Sequence, residues 1–154
     1  MAAIKRSANV VWEGTIARGQ GQLSGGSGAL AALPVTAASR FGDPEGKTTP
    51  EELIAGAHAT CFTMALGSVL AGEHTPPERL SVKAVVTLEE VEGTYSITSS
   101  ELEAVGRVPG IDSAAFERAT RKAEQSCPVS RALAGRVEIR SHSLLEESTP
   151  ASST

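Results

Sequence analysis

The sequence of 154 residues contains few aromatic side chains and few cysteines. Aromatic residues make up 3% of the chain, so the core must be built mainly from Ala, Val, Leu and Ile. Lysine and arginine are outnumbered by aspartate and glutamate, 14 to 18, which leaves no basic excess for binding nucleic acid or an anionic membrane. Two cysteines are too few for a disulfide-rich scaffold, and they are more often reactive or buried than structural.

The sequence also gives no support for a secretory signal or a membrane-spanning segment. Residues 1–14 contain Lys5 and Arg6 but no apolar run after them, so we expect no signal peptide and a cytoplasmic chain. Residues 53–71 carry no charge and reach the length of a membrane span. Small residues dominate this stretch and His58 lies inside it, so we expect a core helix and no membrane association.

The remaining composition is that of a globular domain, with 40% hydrophobic and 21% charged residues. We predict a single domain over residues 1–145 and a flexible tail over residues 146–154. The first third reads as strands and turns. The predicted strands cover residues 9–18, residues 22–24 and a short segment around Val35.

A long helix is predicted to begin at Thr49. Thr49 is a favourable N-cap, Pro50 suits the first helical position, and Glu52 stands where a capping box requires an acid. The helix should end near Gly72.

The rest of the chain alternates between strands and helices. We predict a hairpin of two long strands, a helix, a second short helix and a last strand. Their predicted bounds are residues 81–92, 94–108, 112–125, 128–135 and 137–145. This uneven order indicates an α+β fold in which helices cover one side of an antiparallel sheet. No glycine-rich phosphate loop follows a strand, so nucleotide binding has no support.

The two cysteines occupy different helical positions. Cys61 lies about three turns inside the long helix, where it is plausible as a small buried hydrophobe. Cys127 precedes Pro128 at a helix N-terminus, where free N–H groups favour a thiolate, so helix electrostatics alone make it the better nucleophile. Ionisation of Cys61 would need a cation from elsewhere, for which Arg40 and Arg18 are candidates.

Two further side chains, His58 and Glu51, are candidate site residues. His58, one turn before Cys61, could also supply a cation, but we expect it to be hydrogen bonded in the interior. His58, Cys61 and Cys127 could ligate a metal, yet the paired short spacings of a structural zinc site are missing, so we expect no metal. Glu51 is either a first-turn acid favoured by the helix dipole or the partner of an arginine at the thiol.

Two cysteine motifs carry a family resemblance. Residues 48–62, TTPEELIAGAHATCF, resemble the signature of the OsmC/Ohr family, which comprises osmotically inducible and organic hydroperoxide resistance proteins. Residues 127–130, CPVS, resemble the second cysteine motif of that family. Four other segments are similar to the osmotically inducible (OsmC) branch, namely residues 12–14, 18–19, 39–41 and 108–112.

The resemblance implies an OsmC-like α+β fold, with an antiparallel sheet packed on a long central helix in an intertwined homodimer. It implies a cysteine peroxidase that reduces organic hydroperoxides without metal, flavin or haem. It assigns the attack to Cys61 and the resolution to Cys127, and it gives Glu51 and an arginine the task of activating Cys61. For that arginine we favour Arg40 over Arg18. An external dithiol, with a lipoylated protein as the family analogue, would restore both thiols.

Helix geometry adds an expectation about assembly. Glu51 and Cys61 are separated by about 15 Å along one straight helix, so they cannot meet within a chain. Two copies crossing antiparallel at Gly56 would bring them together in shared active sites. Phe62, Met64 and Leu66 are candidates for a substrate pocket, although we expect the last two in the core. The alternative function is a non-catalytic dimeric redox sensor or binding module.

Overall fold

The computed structural model describes residues 1–147 of the chain. Their backbone forms two compact units, Met1–Leu53 and a second that begins at Ile54. Each unit contains a three-stranded sheet, and the helices are unevenly distributed, so the α+β class predicted from the sequence is confirmed. Of the predicted tail, residues 148–154 lie outside the described residues.

The sheet of the first unit is antiparallel, in the order β1-β2-β3. These strands are Ala8–Glu13, Gln20–Gly25 and Leu33–Val35. The first strand ends earlier than predicted, because Gly14 adopts a φ of 89° and begins a turn closed by a 2.6 Å hydrogen bond from Gly19 N–H to Thr15 O. The short strand around Val35 is confirmed.

A short helix that was not predicted from the sequence, α1, covers Ala37–Phe41. Its N-cap is Thr36, whose hydroxyl accepts from Ser39 N–H at 3.1 Å, while Ser39 Oγ accepts from Thr36 N–H at 3.2 Å. This reciprocal pair is a capping box with serine in place of the usual Glu or Gln. It fixes the start of the helix that carries Arg40.

The long helix α2 covers Pro50–Gly72, as predicted. The hydroxyl of Thr49 accepts from Glu52 N–H at 3.1 Å, which is the predicted N-cap bond. The carboxylate of Glu52, however, accepts from the Thr48 hydroxyl at 2.7 Å. In a capping box it would instead accept from the backbone N–H of the N-cap residue, Thr49. The first turn of α2 falls in the first unit and the remainder in the second.

The sheet of the second unit has the order β4-β5-β6. Its strands are Arg79–Val91, Thr94–Arg107 and Glu138–Leu145. β4 and β5 form the predicted antiparallel hairpin, whereas β6 pairs with β5 in parallel, so the expectation of a purely antiparallel sheet was wrong. The cause is the connection from β5 to β6. It passes through α3, Ser113–Ser126, and α4, Pro128–Leu133, and such a crossover returns the chain in the same direction.

The core of the second unit forms where α2 and α3 contribute buried side chains beside β5. Phe62, Leu66 and Leu70 follow a four-residue spacing on α2 and are fully buried. Burial of each side chain contributes roughly 1.5–3 kcal/mol to stability. Phe116 of α3 lies against Gly106 of β5, where an added Cβ would stand 2.5 Å from the ring. Glycine at this position thus allows the aromatic ring to contact the strand backbone.

The opposite face of α2 is open to solvent in the single chain. Gly56, Ala57 and Thr60 are exposed, and Met64 is 68% exposed, so the expectation of a core helix holds for one face only. Of the described part of the chain, α2 alone has the length and apolar composition to cross a membrane, and one such helix is weak evidence because core helices share these properties. Only 22% of its most apolar stretch is buried within the chain.

Candidate active site

The two thiols lie together in the second unit, although 66 positions separate them in sequence. Cys61 is on α2, and Cys127 forms the junction where α3 ends and α4 begins. Both are free cysteines, and each thiol acts on the pKa of the other, so the two side chains are neighbours. A peroxide that oxidised one sulfur would find the other within reach for a disulfide.

The surroundings of Cys127 stabilise its thiolate. Burial acts most strongly and raises the pKa of Cys127, but hydrogen bonds from the backbone and hydroxyl of Ser130, from Cys61 and from Val129 N–H outweigh it. The pKa of Cys127 therefore lies below that of an ordinary thiol. Ser130 N–H lies 3.5 Å from the Cys127 sulfur, as expected for an N-cap residue.

Cys61 has the opposite character. Burial, together with the hydrogen bond and the charge of Cys127, raises the pKa of Cys61, and only the Val129 N–H opposes them. Yet Cys61 is partly exposed, whereas Cys127 is completely buried. Cys61 opens on a cavity of about 560 Å³, whose lining comprises Cys61, Met64, Ala65, Ser68, Val69, Ser126 and Pro128. Solvent access therefore favours Cys61 as the sulfur that meets a peroxide, whereas the lower pKa favours Cys127 as the nucleophile.

The substrate-pocket candidates on α2 divide between core and cavity. Phe62 and Leu66 are fully buried in the core. Met64 lines the cavity beside Cys61, so the expectation that it belongs to the core was wrong. Positions 62 and 66 are four residues apart and share one face of α2, whereas position 64 lies on the opposite face, which is why Met64 separates from the other two.

His58 is fully buried and bridges two serines. Its Nδ1 lies 2.7 Å from Ser100 Oγ of β5, and its Nε2 lies 2.8 Å from Ser130 Oγ of α4. Burial lowers the pKa of His58, and the nearby Glu124 carboxylate opposes the effect. The ring is an interior, hydrogen-bonded histidine, as expected from the sequence. The sequence did not pair His58 with either serine, because that pairing depends on the placement of β5 and α4.

In the first unit, Arg40 and Glu51 form an ion pair with forked geometry. Arg40 Nη2 donates to Glu51 Oε1 at 2.7 Å, and its Nε lies 3.2 Å and 3.3 Å from the two carboxylate oxygens. Glu51 is largely buried, and the guanidinium lies 5.7 Å from the centre of the Phe41 ring. Arg18 is exposed in the turn after β1. Of the two candidate arginines, Arg40 is the one held by Glu51.

An apolar cavity of about 510 Å³ adjoins this ion pair within the first unit. Its lining includes Trp12, Ile16, Val35, Arg40, Phe41 and Leu53. Arg40 supplies the one charged side chain among the residues around the cavity. The cavity could therefore hold an apolar group with a polar end directed at the guanidinium.

The site residues thus form two pairs, Arg40 with Glu51 and Cys61 with Cys127. Ten positions along the continuous helix α2 separate Glu51 from Cys61, equivalent to about 15 Å of axial rise. Across residues 1–147, no group of three or more His, Cys, Asp or Glu side chains is arranged to hold a metal ion.

Comparison with known proteins identifies the family. A sequence model described as OsmC-like protein matches residues 42–142. The chain is 38% identical over 136 residues to peroxiredoxin OsmC of Escherichia coli strain K12, with 88% of this chain and 94% of that protein covered. The chain belongs to the OsmC-like family. The family resemblance read from the two cysteine motifs is thereby confirmed.

Other members of the OsmC/Ohr group are more distant. An organic hydroperoxide resistance protein of Xanthomonas axonopodis pv. citri is 32% identical over 93 residues, which cover 60% of this chain and 63% of that protein. The crystal structure of an organic hydroperoxide resistance protein from Elizabethkingia anophelis superimposes with a TM-score of 0.75 at 23% identity, covering 95% of this chain and 100% of that one. This structural likeness supports the OsmC-like fold.

Proposed function

We propose that this OsmC-like protein is a thiol peroxidase that reduces organic hydroperoxides to alcohols. The observation that carries the proposal is the Cys61–Cys127 pair, with one accessible sulfur beside a cavity and one buried sulfur whose pKa is lowered by its hydrogen bonds. Its relatives named peroxiredoxin OsmC and organic hydroperoxide resistance protein support the same reaction. Peroxide reduction by thiols requires no metal, flavin or haem.

The mechanism follows from thiol chemistry. The Cys61 thiolate attacks the terminal oxygen of ROOH, the O–O bond breaks, and protonation of the departing alkoxide gives ROH while Cys61 becomes a sulfenic acid. The Cys127 thiolate then attacks the Cys61 sulfur, hydroxide leaves, and a disulfide forms. An external dithiol reduces this disulfide by exchange, and a lipoylated protein has the required chemistry.

Arg40 and Glu51 provide the electrostatic part of the site. The guanidinium would lower the pKa of Cys61 and polarise the peroxide, while the Glu51 carboxylate holds the guanidinium in one orientation. The apolar cavity beside Arg40 would receive the organic group of the substrate, which supports a preference for organic hydroperoxides over hydrogen peroxide.

The site would be completed by a second copy of the chain. Glu51 and Cys61 are about 15 Å apart along α2, and Gly56 lies midway between them on the exposed face. An added Cβ at Gly56 meets no atom within 4 Å, so nothing in the single chain requires glycine there. Two helices crossing antiparallel at Gly56 would cover the exposed apolar face. They would also bring Glu51 and Arg40 of one chain towards Cys61 of the other.

Steady-state turnover tests the function. With dihydrolipoamide as reductant, the protein should consume cumene hydroperoxide over many cycles and hydrogen peroxide more slowly. Cys61→Ser should abolish turnover, whereas Cys127→Ser should undergo one oxidation, which mass spectrometry would locate as a sulfenic acid or its overoxidised products on Cys61. A single oxidation of the wild-type protein without recycling would indicate a redox sensor. Oxidation of Cys127 in the Cys61→Ser protein would reverse the two roles.

A further inference from the structure

A second sulfur lines the cavity on which Cys61 opens, and the peroxidase mechanism gives it no task. The cavity of about 560 Å³ lies within the second unit, and Cys61 and Met64 are the two sulfur-bearing residues of its lining. Met64 is 68% exposed. Apart from the initial Met1, it is the one methionine in the sequence. A polarisable thioether is therefore presented to a peroxide that enters this cavity.

Helix geometry places Met64 next to Cys61 on the cavity wall. The two residues are three positions apart on α2, a spacing that brings side chains of neighbouring turns together. A long side chain on an α-helix leans towards the N-terminus and covers the turn before its own Cα. For Met64 that preceding turn is the one that carries Cys61. A hydroperoxide positioned for attack by Cys61 is thus also close to the thioether.

The remaining lining leaves Met64 as the alternative target for oxidation. The other lining side chains carry neither a charge nor a group that hydroperoxides oxidise readily, namely Ala65, Ser68, Val69, Ser126 and Pro128. Cys127 is completely buried. Once Cys61 is oxidised, and before a dithiol restores it, Met64 is the accessible nucleophilic sulfur of the cavity lining.

We propose that Met64 is a modification site, which the organic hydroperoxide in the cavity oxidises to methionine sulfoxide when Cys61 is no longer a free thiol. The thioether sulfur attacks the terminal oxygen of ROOH and the O–O bond breaks. The departing alkoxide takes up the hydroperoxide proton to become ROH, and the sulfur keeps the oxygen. The sulfur loses two electrons and the peroxide gains them, so the step needs no further reactant.

The modification would reduce peroxide turnover, a consequence that rests on the proposed peroxidase function. Oxidation converts the apolar Met64 side chain into a polar one beside the sulfur that attacks the substrate. The organic group of the next hydroperoxide would then meet a polar S–O group where it met an apolar thioether. Because methionine sulfoxide can be reduced enzymatically, the loss is reversible. Activity would thus fall while peroxide is in excess over the dithiol.

The proposed dimer is compatible with this reaction. Met64 lies eight positions beyond Gly56 on α2, about 12 Å of axial rise from the proposed helix crossing. Cys61 is nearer to that crossing and less exposed than Met64. A peroxide must reach Cys61 in the assembled protein, and the cavity that it enters is lined by Met64 as well.

The modification is tested first without thiol chemistry. In a protein carrying Cys61→Ser and Cys127→Ser, peptide mass spectrometry follows sulfoxide formation during exposure to cumene hydroperoxide. Leu144→Met in the same protein is the matched control, because Leu144 is 61% exposed on β6 and lies outside the cavity lining. Met64 should be oxidised at least about tenfold faster than the introduced methionine. Equal rates would overturn the proposal, because exposure alone would then explain the oxidation.

The effect on turnover is tested with both cysteines present. After excess cumene hydroperoxide, dithiothreitol restores the disulfide-bonded thiols, so a remaining deficit reports other damage. The treated protein should keep about a tenth to a third of its untreated kcat/KM, and sulfoxide reductases for both epimers should restore the rest. Met64→Leu, compared with its own untreated sample, should show no deficit that these reductases repair.

Two results separate this inference from the function on which it rests. A deficit in Met64→Leu as large as in the wild type, and not repaired by the reductases, would place the damage on overoxidised Cys61 and overturn the effect on turnover. Selective oxidation of Met64 in a protein whose untreated form never turns over peroxide would refute the proposed function and support the modification site.

Discussion

At the scale of single residues, access and ionisation are divided between the two sulfurs. Cys61 opens on the cavity but its surroundings raise its pKa, whereas the surroundings of Cys127 lower its pKa but bury it completely. Helix electrostatics read from the sequence correctly marked Cys127 as the better thiolate. Access to the cavity, which depends on tertiary packing, could not be read in the same way. Peroxide attack at Cys61 consequently requires a cation that lowers its pKa.

The pKa of Cys61 should fall when the charge beside it is removed. Burial raises this pKa most, and the hydrogen bond and charge of Cys127 raise it further. Cys127→Ser removes the neighbouring thiolate, so the rate of Cys61 alkylation should begin to rise at a lower pH than in the wild type. Ser126→Ala, at the same cavity but without a sulfur, should leave the curve unchanged. A curve displaced to higher pH in Cys127→Ser would contradict this account.

Arg40 should be the cation that activates Cys61. Arg40→Ala should raise the pKa of Cys61 by about one pH unit or more and slow its reaction with peroxide, since an opposite charge nearby favours the thiolate. Arg18→Ala is the matched control, because Arg18 is exposed in the turn after β1. Alkylation rates measured against pH report both variants. A shift with Arg18→Ala and none with Arg40→Ala would assign the role to Arg18.

At the scale of elements, local sequence signals predicted a helix or strand correctly where an N-cap residue or an alternation of apolar and polar residues determines it. Thr49 and Asp112 mark the starts of α2 and α3, and the alternation in β4 and β5 predicts their hairpin. The parallel pairing of β6 could not be read locally, because it depends on where two helices return the chain. The family resemblance predicted that Glu51 acts together with an arginine, for which we favoured Arg40. Neither the periodicity nor the spacing of the sequence could predict the geometry of this ion pair.

Two glycines on different elements should respond oppositely to alanine. Gly106→Ala would place a methyl 2.5 Å from the buried Phe116 ring and should lower the free energy of unfolding by about 1–3 kcal/mol. Gly67 lies inside α2, where a Cβ added at this position would have Leu80 Cδ1, 4.0 Å away, as its nearest neighbour, so Gly67→Ala should raise the free energy of unfolding by about 0.5–1 kcal/mol. Denaturant unfolding measures both. Adding Phe116→Leu to Gly106→Ala should recover part of the loss, and equal effects at both glycines would contradict the packing described.

At the scale of the whole molecule, the exposed apolar face of α2 and the separation of the two residue pairs have one common solution. A monomer would leave most of the apolar stretch of α2 uncovered, with only 22% of it buried. It would also leave Glu51, the partner of Arg40, ten positions along α2 from the cysteine that the pair is proposed to activate. The proposed two-fold dimer would remove both problems, because each chain would supply what the other lacks.

Shared sites predict complementation between two inactive chains. Glu51→Ala and Cys61→Ser are each expected to be inactive alone, because every site in either homodimer lacks one residue. In a heterodimer, one site has Glu51 from the Cys61→Ser chain and Cys61 from the Glu51→Ala chain, so both are intact. An equal mixture refolded together forms about half heterodimers, each with one good site, so recovery should approach about a quarter of wild-type turnover. Heterodimers confirmed by native mass spectrometry but lacking peroxidase activity would mean that Glu51 does not act on the cysteine of a partner chain.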